Sequence, residues 1–322
     1  MKQTQLATRE LGTTGIEITR IGFGAWAIGG GDWEFGWGPQ DDDEPIAAIH
    51  RALEHGINWI DTAAAYGFGH SEEVVGRALK GLPERERPYL FTKASLLEGP
   101  GRRVINSLRR DSILREAELS LKRLGVDAID LYQIHWPIPE ADIEEGWTAL
   151  AALKAEGMVR HIGVSNFDVE QMRRVQEIAP IETLQPQYSL IERDVEPEIL
   201  PFAEHEGIGV IVYSPMGSGL LTGGMTRQRI ECLADDDWRK DDERFREPQL
   251  SDNLAIAQRV IEVADRIGVP PGAVAIAWTL RNPAVDGAIV GLRRPGQVEE
   301  LMAAATLEIS DDDAAELEVR QR

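Results

Sequence analysis

Four side chains that could carry acid–base chemistry lie at or just beyond the ends of apolar segments. They are Asp61, Lys93, His135 and, five residues after Asp61, Tyr66. Taken alone, Asp61 is typical of a helix cap, Tyr66 of an amphipathic loop residue and His135 of a buried core histidine. Lys93 is different, because an ammonium group at the end of a buried strand is costly unless an anion neutralises it. We therefore expect Asp61, one strand away, to pair with Lys93.

Together these groups could protonate an oxygen atom. A tyrosine has an ordinary pKa of about 10, and a nearby cation favours its phenolate form. We expect Lys93 to lower the pKa of Tyr66 and so make it a general acid near neutral pH. Asp61 would hold Lys93, and His135 would orient a carbonyl oxygen beside the Tyr66 hydroxyl. Because protonation completes only part of a reduction, the set implies a separate hydride donor.

The elements that must position these groups follow an alternating pattern. Segments of helical period separate eight short apolar segments, each typical of a buried strand: Ile18–Phe23, Ile57–Ile60, Tyr89–Thr92, Ala128–Ile134, Val159–Val164, Thr183–Gln185, Ile208–Tyr213 and Gly287–Val290. Parallel strands need crossover connections, and helices usually supply them. The pattern predicts an α/β protein with a (β/α)8 TIM barrel. An open doubly wound sheet is the alternative, but the count of eight strands favours the barrel.

No linker or low-complexity tract interrupts the sequence, so we expect one domain over residues 1–322. The chief irregularity is the long loop Met216–Leu250 after strand 7, which is first glycine-rich and then densely charged. A loop of this length is typical of a mobile lid. In such barrels the active site lies at the C-terminal ends of the strands, where the four candidate residues fall.

Composition excludes several classes of function. The 322 residues contain 34 Lys and Arg against 55 Asp and Glu, a net charge of −21, which argues against binding to nucleic acid or to an anionic membrane surface. The single cysteine, Cys232, cannot form an intrachain disulfide, and no apolar run approaches the ~20 residues of a membrane span. We therefore expect a cytoplasmic protein, monomeric, acting on a small molecule. No histidine or cysteine pattern predicts a metal site.

Two segments could bind phosphate groups. Ser214–Leu220 follows strand 7, and its successive N–H groups could form an anion-binding concavity. Gly291–Gln297 follows strand 8 and carries Arg293 and Arg294, a place where barrels often hold phosphate. We expect Arg293 or Arg294 to bind an anionic group of a ligand. The pattern G-x-G-x-x-A at Gly22–Ala27 lacks a following helix, so its glycines are interpreted as letting a ligand approach the backbone.

The four candidate residues, in this order and on successive strand ends, resemble the catalytic tetrad of the NADPH-dependent aldo-keto reductases. Gly22–Trp26 is similar to the first-strand segment of that family, and Gly163–Phe167 to its nicotinamide-carboxamide motif. Other segments resemble a bacterial branch that includes general stress and inositol-cluster reductases. The resemblance implies NADPH-dependent reduction of aldehydes or ketones, reversible in principle. With that cofactor, we expect Arg293 or Arg294 to bind its 2′-phosphate, so that NADP is preferred over NAD.

The resemblance, with the two phosphate segments, implies a set of cofactor contacts: Gly24, Ala25, Trp26, Asp61, Ser165, Asn166, Gln185, Tyr213, Ser214, Pro215, Met216, Gly217, Gly219, Leu220, Gly291, Arg293, Arg294, Gln297 and Glu300. Leu301 departs from the family pattern, in which asparagine is usual. The substrate, a small carbonyl compound or alcohol, is expected against Trp26, Tyr66, His135 and Trp136. Trp33 and Trp37, in the loop after strand 1, add to an aromatic surrounding that selects no one carbonyl compound.

Two alternatives come from other classes of function. The family also resembles potassium-channel β subunits, so a nucleotide-sensing regulatory subunit would keep the same residues. A lyase or isomerase without cofactor could instead use Lys93 as a Schiff-base amine, although a nearby Asp61 would keep that amine protonated.

Overall fold

The computed structural model describes residues 6–319. Its strands are β1 (Thr8–Glu10), β2 (Glu17–Thr19), β3 (Ile21–Gly24), β4 (Trp59–Asp61), β5 (Tyr89–Ala94), β6 (Leu96–Glu98), β7 (Val104–Asn106), β8 (Ile129–Ile134), β9 (Val159–Ser165), β10 (Thr183–Gln185), β11 (Gly209–Val212) and β12 (Gly287–Gly291). Its α-helices are α1 (Asp43–Glu54), α2 (His70–Leu79), α3 (Arg110–Leu124), α4 (Ile143–Ala155), α5 (Val169–Gln176), α6 (Ile199–Glu206), α7 (Arg227–Glu231), α8 (Gln249–Ile267), α9 (Pro271–Thr279), α10 (Pro295–Leu301) and α11 (Asp311–Leu317).

Eight parallel strands close into a barrel in the order β3, β4, β5, β8, β9, β10, β11, β12, with β12 pairing back to β3. Each predicted apolar segment contributes one of these strands, and the predicted (β/α)8 barrel is confirmed. Strands buried on both faces read as continuous apolar runs, which is why the segments were visible in the sequence. Because all eight strands run the same way, their C-terminal residues meet at one mouth of the barrel.

The first predicted strand, Ile18–Phe23, is two strands in the structure. Its first part forms β2, which pairs antiparallel with β1, and only β3 enters the barrel. The chain turns between them at Arg20, where the Thr19 hydroxyl donates to the carbonyl of Ile21 (2.8 Å) and Asn58 Oδ1 accepts from the Thr19 N–H (2.8 Å). A side-chain amide thus replaces the strand partner at that point.

The β1–β2 hairpin closes the N-terminal end of the barrel. Leu11, Ile16 and Ile18 from this region are buried in one cluster with Trp59 and Phe91 from inside the barrel. Burying apolar side chains of this size contributes roughly 1.5–3 kcal/mol each, so the plug stabilises the closed end. The opposite mouth is left for the functional groups.

The segment between β11 and α8, predicted as a long loop after strand 7, consists of short helical turns. It contains α7 and the 3-10 helices Gly217–Thr222, Trp238–Lys240 and Glu243–Phe245. The N–H of Trp238 donates to the carbonyl of Gly36 (3.1 Å), in the loop after β3. The two loops therefore meet across the mouth of the barrel. Within residues 6–319, the structure holds no helix with the length and apolar character needed to cross a membrane.

Candidate active site

The four predicted catalytic side chains meet at the C-terminal mouth of the barrel. Asp61 is the last residue of β4, Lys93 lies one residue before the end of β5, and His135 directly follows β8. Tyr66 lies in the loop after β4, in a turn closed by a hydrogen bond from its N–H to the carbonyl of Ala63 (3.1 Å). Asp61, Lys93 and Tyr66 are 2%, 1% and 8% exposed. The structure therefore brings the tetrad together in a largely water-free place.

Lys93 is held by three acceptors. Its Nζ donates to Asp61 Oδ1 (2.6 Å), to the carbonyl of Thr62 (2.9 Å) and to the Tyr66 hydroxyl (3.4 Å). The other carboxylate oxygen of Asp61 accepts from Gln185 Nε2 (2.9 Å). An ammonium group has three donors, so all of them are used. An amine held in this way is poorly suited to attack a carbonyl carbon, which weakens the Schiff-base alternative.

Burial dominates the protonation of these groups. It raises the pKa of Tyr66 well above the usual value, and the negative charge of Asp61 adds to that shift. It also raises the pKa of the Asp61 carboxyl and lowers the pKa of the Lys93 amine, each against their mutual attraction. The expectation that Lys93 lowers the pKa of Tyr66 is therefore wrong for this structure. The charge of Lys93 is offset by Asp61, which lies closer to it than the phenol does, so burial of the phenol prevails.

His135 faces Tyr66 as a neutral ring. The two rings are perpendicular, with centroids 5.7 Å apart. Burial lowers the pKa of His135 well below its usual range, and the positive charge of Lys93 adds to this. Its Nδ1 atom is buried without a hydrogen-bond partner among residues 6–319. A neutral imidazole beside the phenol can orient a polar group without adding a charge.

The residues that the resemblance assigns to the nicotinamide surround this centre. Ser165 Oγ donates to the carbonyl of Gln185 (2.7 Å), and Asn166 Nδ2 donates to the carbonyl of His135 (3.0 Å). The Tyr213 hydroxyl donates to Asn166 Oδ1 (2.9 Å). These bonds connect the ends of β8, β9, β10 and β11, so the four side chains are already arranged around the tetrad.

A cavity of about 370 Å³ opens beside Tyr66. The predicted cofactor residues that line it are Gly24, Ala25, Trp26, Asp61, Tyr213, Ser214, Pro215, Met216, Gly219, Gly291, Arg293, Arg294 and Gln297. Ser218, which belongs to the predicted phosphate segment Ser214–Leu220, also lines it. The sequence analysis did not assign the lining residues Ala27, Thr222, Met225, Arg229, Arg239 and Ile289 to a binding site. We call this cavity the larger cavity, to distinguish it from a smaller one of about 190 Å³ that Tyr66 also lines.

Six predicted contacts lie outside the lining of the larger cavity. Ser165, Asn166 and Gln185 line the adjoining, smaller cavity instead. The other three line neither cavity. Leu220 is fully buried in an apolar cluster with Met225 and Phe245. Gly217 faces Ile191, since a Cβ atom there would lie 2.8 Å from Ile191 Cδ1. Glu300 is on the exposed face of α10. Each lies within a few residues of a lining residue, but local packing turns it away from the cavity.

The two adjacent arginines after β12 have different surroundings. Arg294 is exposed and pairs with Glu44 (3.2 Å). Arg293 is half-buried and donates to neutral oxygens, Gln40 Oε1 (2.8 Å) and the carbonyl of Trp37 (3.3 Å). Burial and the positive charge of Arg239 lower the pKa of Arg293. Among the described residues no carboxylate lies within ion-pair distance of Arg293, so its charge is left for a ligand.

The two glycines of β3 are closely packed, and Gly24 also lines the larger cavity. A Cβ atom at Gly22 would lie 2.1 Å from the Trp59 ring, and one at Gly24 would lie 2.7 Å from Ile289 Cγ2. Gly22 therefore makes room for Trp59 inside the barrel. Only a four-residue 3-10 helix over Trp26–Gly29 follows, and the first α-helix begins at Asp43. The α-helix that a dinucleotide fingerprint needs directly after the glycines is therefore missing there.

A second, smaller cavity of about 190 Å³ adjoins the first. The predicted substrate residues Trp26, Tyr66, His135 and Trp136 all line it. Trp33, which the sequence analysis placed in the aromatic surroundings of the substrate, also lines it. Phe35, Ala65, Leu96 and Val104 line it as well, and the sequence analysis did not assign these four to a substrate site. Leu96 and Val104 come from the β6–β7 hairpin, which no pattern in the sequence predicted.

An aromatic cluster closes the mouth above the larger cavity. The ring of Trp238 stacks on Trp26 with centroids 5.0 Å apart, and Trp37 packs edge-on against both rings. The guanidinium of Arg239, 9% exposed, lies 4.4 Å from the centroid of the Trp37 ring and pairs with Asp237 (2.6 Å). The sequence analysis saw this segment only as charged. A tryptophan within a run of charged residues was the signal that could have identified a packed segment.

Comparisons with known proteins agree with this geometry. The model of the Aldo/keto reductase family matches residues 20–319. The aldo-keto reductase YhdN of Bacillus subtilis (strain 168) is 40% identical over 305 residues, which cover 94% of this chain and 90% of that protein. The NADH-specific methylglyoxal reductase of Escherichia coli (strain K12) is 36% identical, with 94% and 95% covered. The solved structure of the glycerol dehydrogenase AKR11B4 from Gluconobacter oxydans has a TM-score of 0.85 and 38% identity, with 98% and 94% covered.

Proposed function

Because the chain belongs to the aldo/keto reductase family, we propose that it is an NADPH-dependent enzyme that reduces aldehydes or ketones to alcohols, with Tyr66 as the general acid. The observation that carries this proposal is the position of Tyr66. Its side chain lines both the larger and the smaller cavity, and its hydroxyl accepts a hydrogen bond from the buried Lys93. A nucleotide in one cavity and a carbonyl compound in the other would share this proton donor.

The donors around the larger cavity fit a phosphate-bearing dinucleotide. Ser218 Oγ is buried without a hydrogen-bond partner among the described residues, and Ser214 and Ser218 both have φ of 54°. Backbone N–H groups in turns of this kind can form concavities that bind anions. Arg293 adds a positive charge with no carboxylate partner. When bound, the reduced nicotinamide supplies a hydride to the carbonyl carbon.

The side chains of the tetrad then handle the proton. Hydride addition leaves the substrate oxygen as an alkoxide, a far stronger base than a phenolate, so Tyr66 can protonate it despite its raised pKa. The hydrogen bond from Lys93 strengthens as negative charge develops on the phenol oxygen. Asp61 holds Lys93 in place and neutralises it. His135, a neutral ring, orients the carbonyl oxygen toward the phenol.

We assign the preference for NADPH to Arg293. Charge-assisted hydrogen bonds contribute about 1.5–3 kcal/mol, which corresponds to at least a tenfold difference in binding. Arg293→Ala is therefore expected to raise KM for NADPH about tenfold while leaving KM for NADH nearly unchanged. Arg294→Ala is the matched control, because it removes the same charge from an exposed side chain already paired with Glu44. An equal effect of Arg293→Ala on both cofactors would contradict the assignment. So would a preference of this protein for NADH, the cofactor named for the Escherichia coli relative.

The smaller cavity favours an uncharged, apolar carbonyl compound. Its described lining residues include Trp33, Phe35, Leu96 and Trp136 and no Asp, Glu, Lys or Arg. A charged substrate would lose its hydration there without gaining a partner of opposite charge. We therefore place aryl and short aliphatic aldehydes ahead of α-keto acids as substrates.

One experiment tests the function. An aryl aldehyde, an aliphatic aldehyde and an α-keto acid are each followed at the nicotinamide absorbance with NADPH and with NADH, and the corresponding alcohols with the oxidised cofactors. We expect the highest kcat/KM for the aryl aldehyde with NADPH. Tight NADPH binding with no turnover of any compound would support a nucleotide-sensing subunit instead. The proposal includes a monomer in the cytoplasm that acts on small molecules, which light scattering and cell fractionation would check.

A further inference from the structure

Glu116 is a buried carboxyl group that the proposed chemistry does not use. It lies on α3, behind β5, and is 4% exposed. Its Oε2 accepts a hydrogen bond from the backbone N–H of Ser95 (3.0 Å), and its Oε1 accepts one from the Ser112 hydroxyl (3.1 Å). Burying a carboxyl group costs free energy, so we expect a carboxyl group in such a place to make a hydrogen bond that an apolar side chain could not make.

Its partner Ser95 has an unusual backbone conformation. Ser95 follows the last residue of β5, is fully buried, and has φ of 89°, in the region that residues with a side chain rarely adopt. A conformation of this kind persists only where the surrounding structure holds it. In this conformation the backbone N–H of Ser95 donates its hydrogen bond to Glu116. A relaxed Ser95 would turn this N–H away from the carboxyl.

Ser95 also joins the structural elements that form one side of the smaller cavity. Its carbonyl accepts from the N–H of Ser107, where the β6–β7 hairpin returns (3.0 Å). Its hydroxyl accepts from the N–H of Trp136 (3.4 Å). Leu96, the next residue, and Trp136 both line the smaller cavity. The direction of the chain at Ser95 therefore sets where the hairpin and the Trp136 segment lie relative to Tyr66.

We propose that Glu116 is a positioning residue for the substrate, acting through Ser95 on the wall formed by Leu96, Val104 and Trp136. The inference rests on the proposed carbonyl reductase function. Glu116 touches neither cavity, so its effect is on the shape of the smaller cavity and not on the proton or the nucleotide.

The protonation of Glu116 suggests how to test it. Burial raises the pKa of Glu116 to about 8, so the carboxyl group is neutral in the physiological range. Glutamine then resembles it closely, because an amide oxygen still accepts from the Ser95 N–H and the amide N–H₂ can donate to Ser112. Methionine has a similar length but lacks an oxygen acceptor. Glu116→Gln and Glu116→Met therefore form a matched pair.

The full-length protein and these two variants are compared in steady-state kinetics with an aryl aldehyde and NADPH. We expect Glu116→Met to raise KM for the aldehyde at least tenfold while kcat and the Kd for NADPH change less than threefold. Glu116→Gln should stay within about twofold of the unchanged protein in all three quantities. Two results would overturn the proposal. One is equal behaviour of both variants. The other is a Glu116→Met variant in which kcat and NADPH binding are impaired together with KM.

Hydrogen exchange without ligands gives a second readout that does not depend on turnover. In Glu116→Met the amides of residues 95–107 should exchange at least tenfold faster than in Glu116→Gln, while those of β11 and β12 stay unchanged. If the unchanged protein reduces no carbonyl compound, the proposed function fails, yet this exchange difference still tests Glu116. Should Glu116→Met not fold, the test is repeated in a Ser95→Gly background. Glycine adopts positive φ freely, so the backbone at residue 95 no longer needs Glu116 to hold it. In that background, Glu116→Gln and Glu116→Ala should differ less than threefold in KM. A larger difference would overturn the proposal.

Discussion

Lys93→Met should lower the free energy of unfolding, because it breaks the buried ion pair at the centre of the site. Methionine has nearly the length of lysine but lacks the ammonium group, so Asp61 would keep only the hydrogen bond from Gln185. Asp61 is 2% exposed, and an unpaired carboxylate at that depth is strongly disfavoured. The folded variant can relieve this by binding a proton at Asp61.

The size of the effect follows from that proton. An ordinary aspartate has a pKa of about 3.9, and protonating it costs about 1.36 kcal/mol per pH unit above that value, hence about 4 kcal/mol at about pH 7. Broken buried ion pairs cost about 3–5 kcal/mol, in agreement with this figure. In the variant the folded-state pKa of Asp61 lies above its unfolded-state pKa, so the folded state binds more protons. The deficit relative to the unchanged protein is therefore small at about pH 4 and grows as the pH rises.

Urea unfolding followed by tryptophan fluorescence at several pH values measures this deficit. The matched control is Asp61→Asn combined with Lys93→Met, which removes both charges and should recover most of the stability near neutral pH while remaining inactive. A deficit below about 1 kcal/mol at about pH 7, or one that does not change with pH, would refute the reasoning. So would a double variant as unstable as the single one.

Three further predictions concern catalysis and cofactor binding. Tyr66→Phe should lower kcat by about 10²–10⁴ with the Kd for NADPH within twofold in a fluorescence titration; unimpaired turnover would exclude Tyr66 as the acid. Because burial raises the pKa of Tyr66, the reduction rate should stay constant from neutral pH to about pH 10 while alcohol oxidation, which needs the phenolate, rises over the same range; pH–rate profiles would contradict this if reduction declined below about pH 9. Trp238→Ala removes a stacking partner of Trp26, and an aromatic pair contributes about 0.5–1.5 kcal/mol, so the variant should bind NADPH roughly three- to tenfold more weakly. An unchanged Kd would show that the aromatic cluster does not help to retain the cofactor.

The sequence was sufficient to predict the barrel and the meeting of the four tetrad residues at one of its mouths. Strands buried on both faces are continuous apolar runs, so their positions can be read without knowing their neighbours. Once eight parallel strands are assigned, Asp61, Lys93 and His135 must reach the same mouth because each ends or follows a strand. The division of the first segment at Arg20 was missed, because it depends on Asn58, a residue far along the chain that directly precedes β4.

The smaller cavity shows why the rest of the site was not predicted. Leu96 and Val104 reach it through a hairpin whose direction depends on Ser95 and on its hydrogen bond to Glu116, 21 residues away. Predicted contacts such as Leu220 differ from their lining neighbours only by which way the backbone turns them. These features depend on pairs of residues that no local pattern connects.

The identity of the chemical groups and the strand ends that carry them were already contained in the order of the residues, because hydrophobic periodicity is a local property of a chain. Three features came only with the folded chain: the protonation of Tyr66, the packing of Trp238 over Trp26, and the pairing of Arg293 with neutral oxygens in place of a carboxylate. Desolvation and packing depend on which distant segments surround a group. The same tyrosine that a neighbouring lysine would acidify in water therefore keeps its proton here, because the barrel removes water from it and Asp61 offsets the lysine's charge.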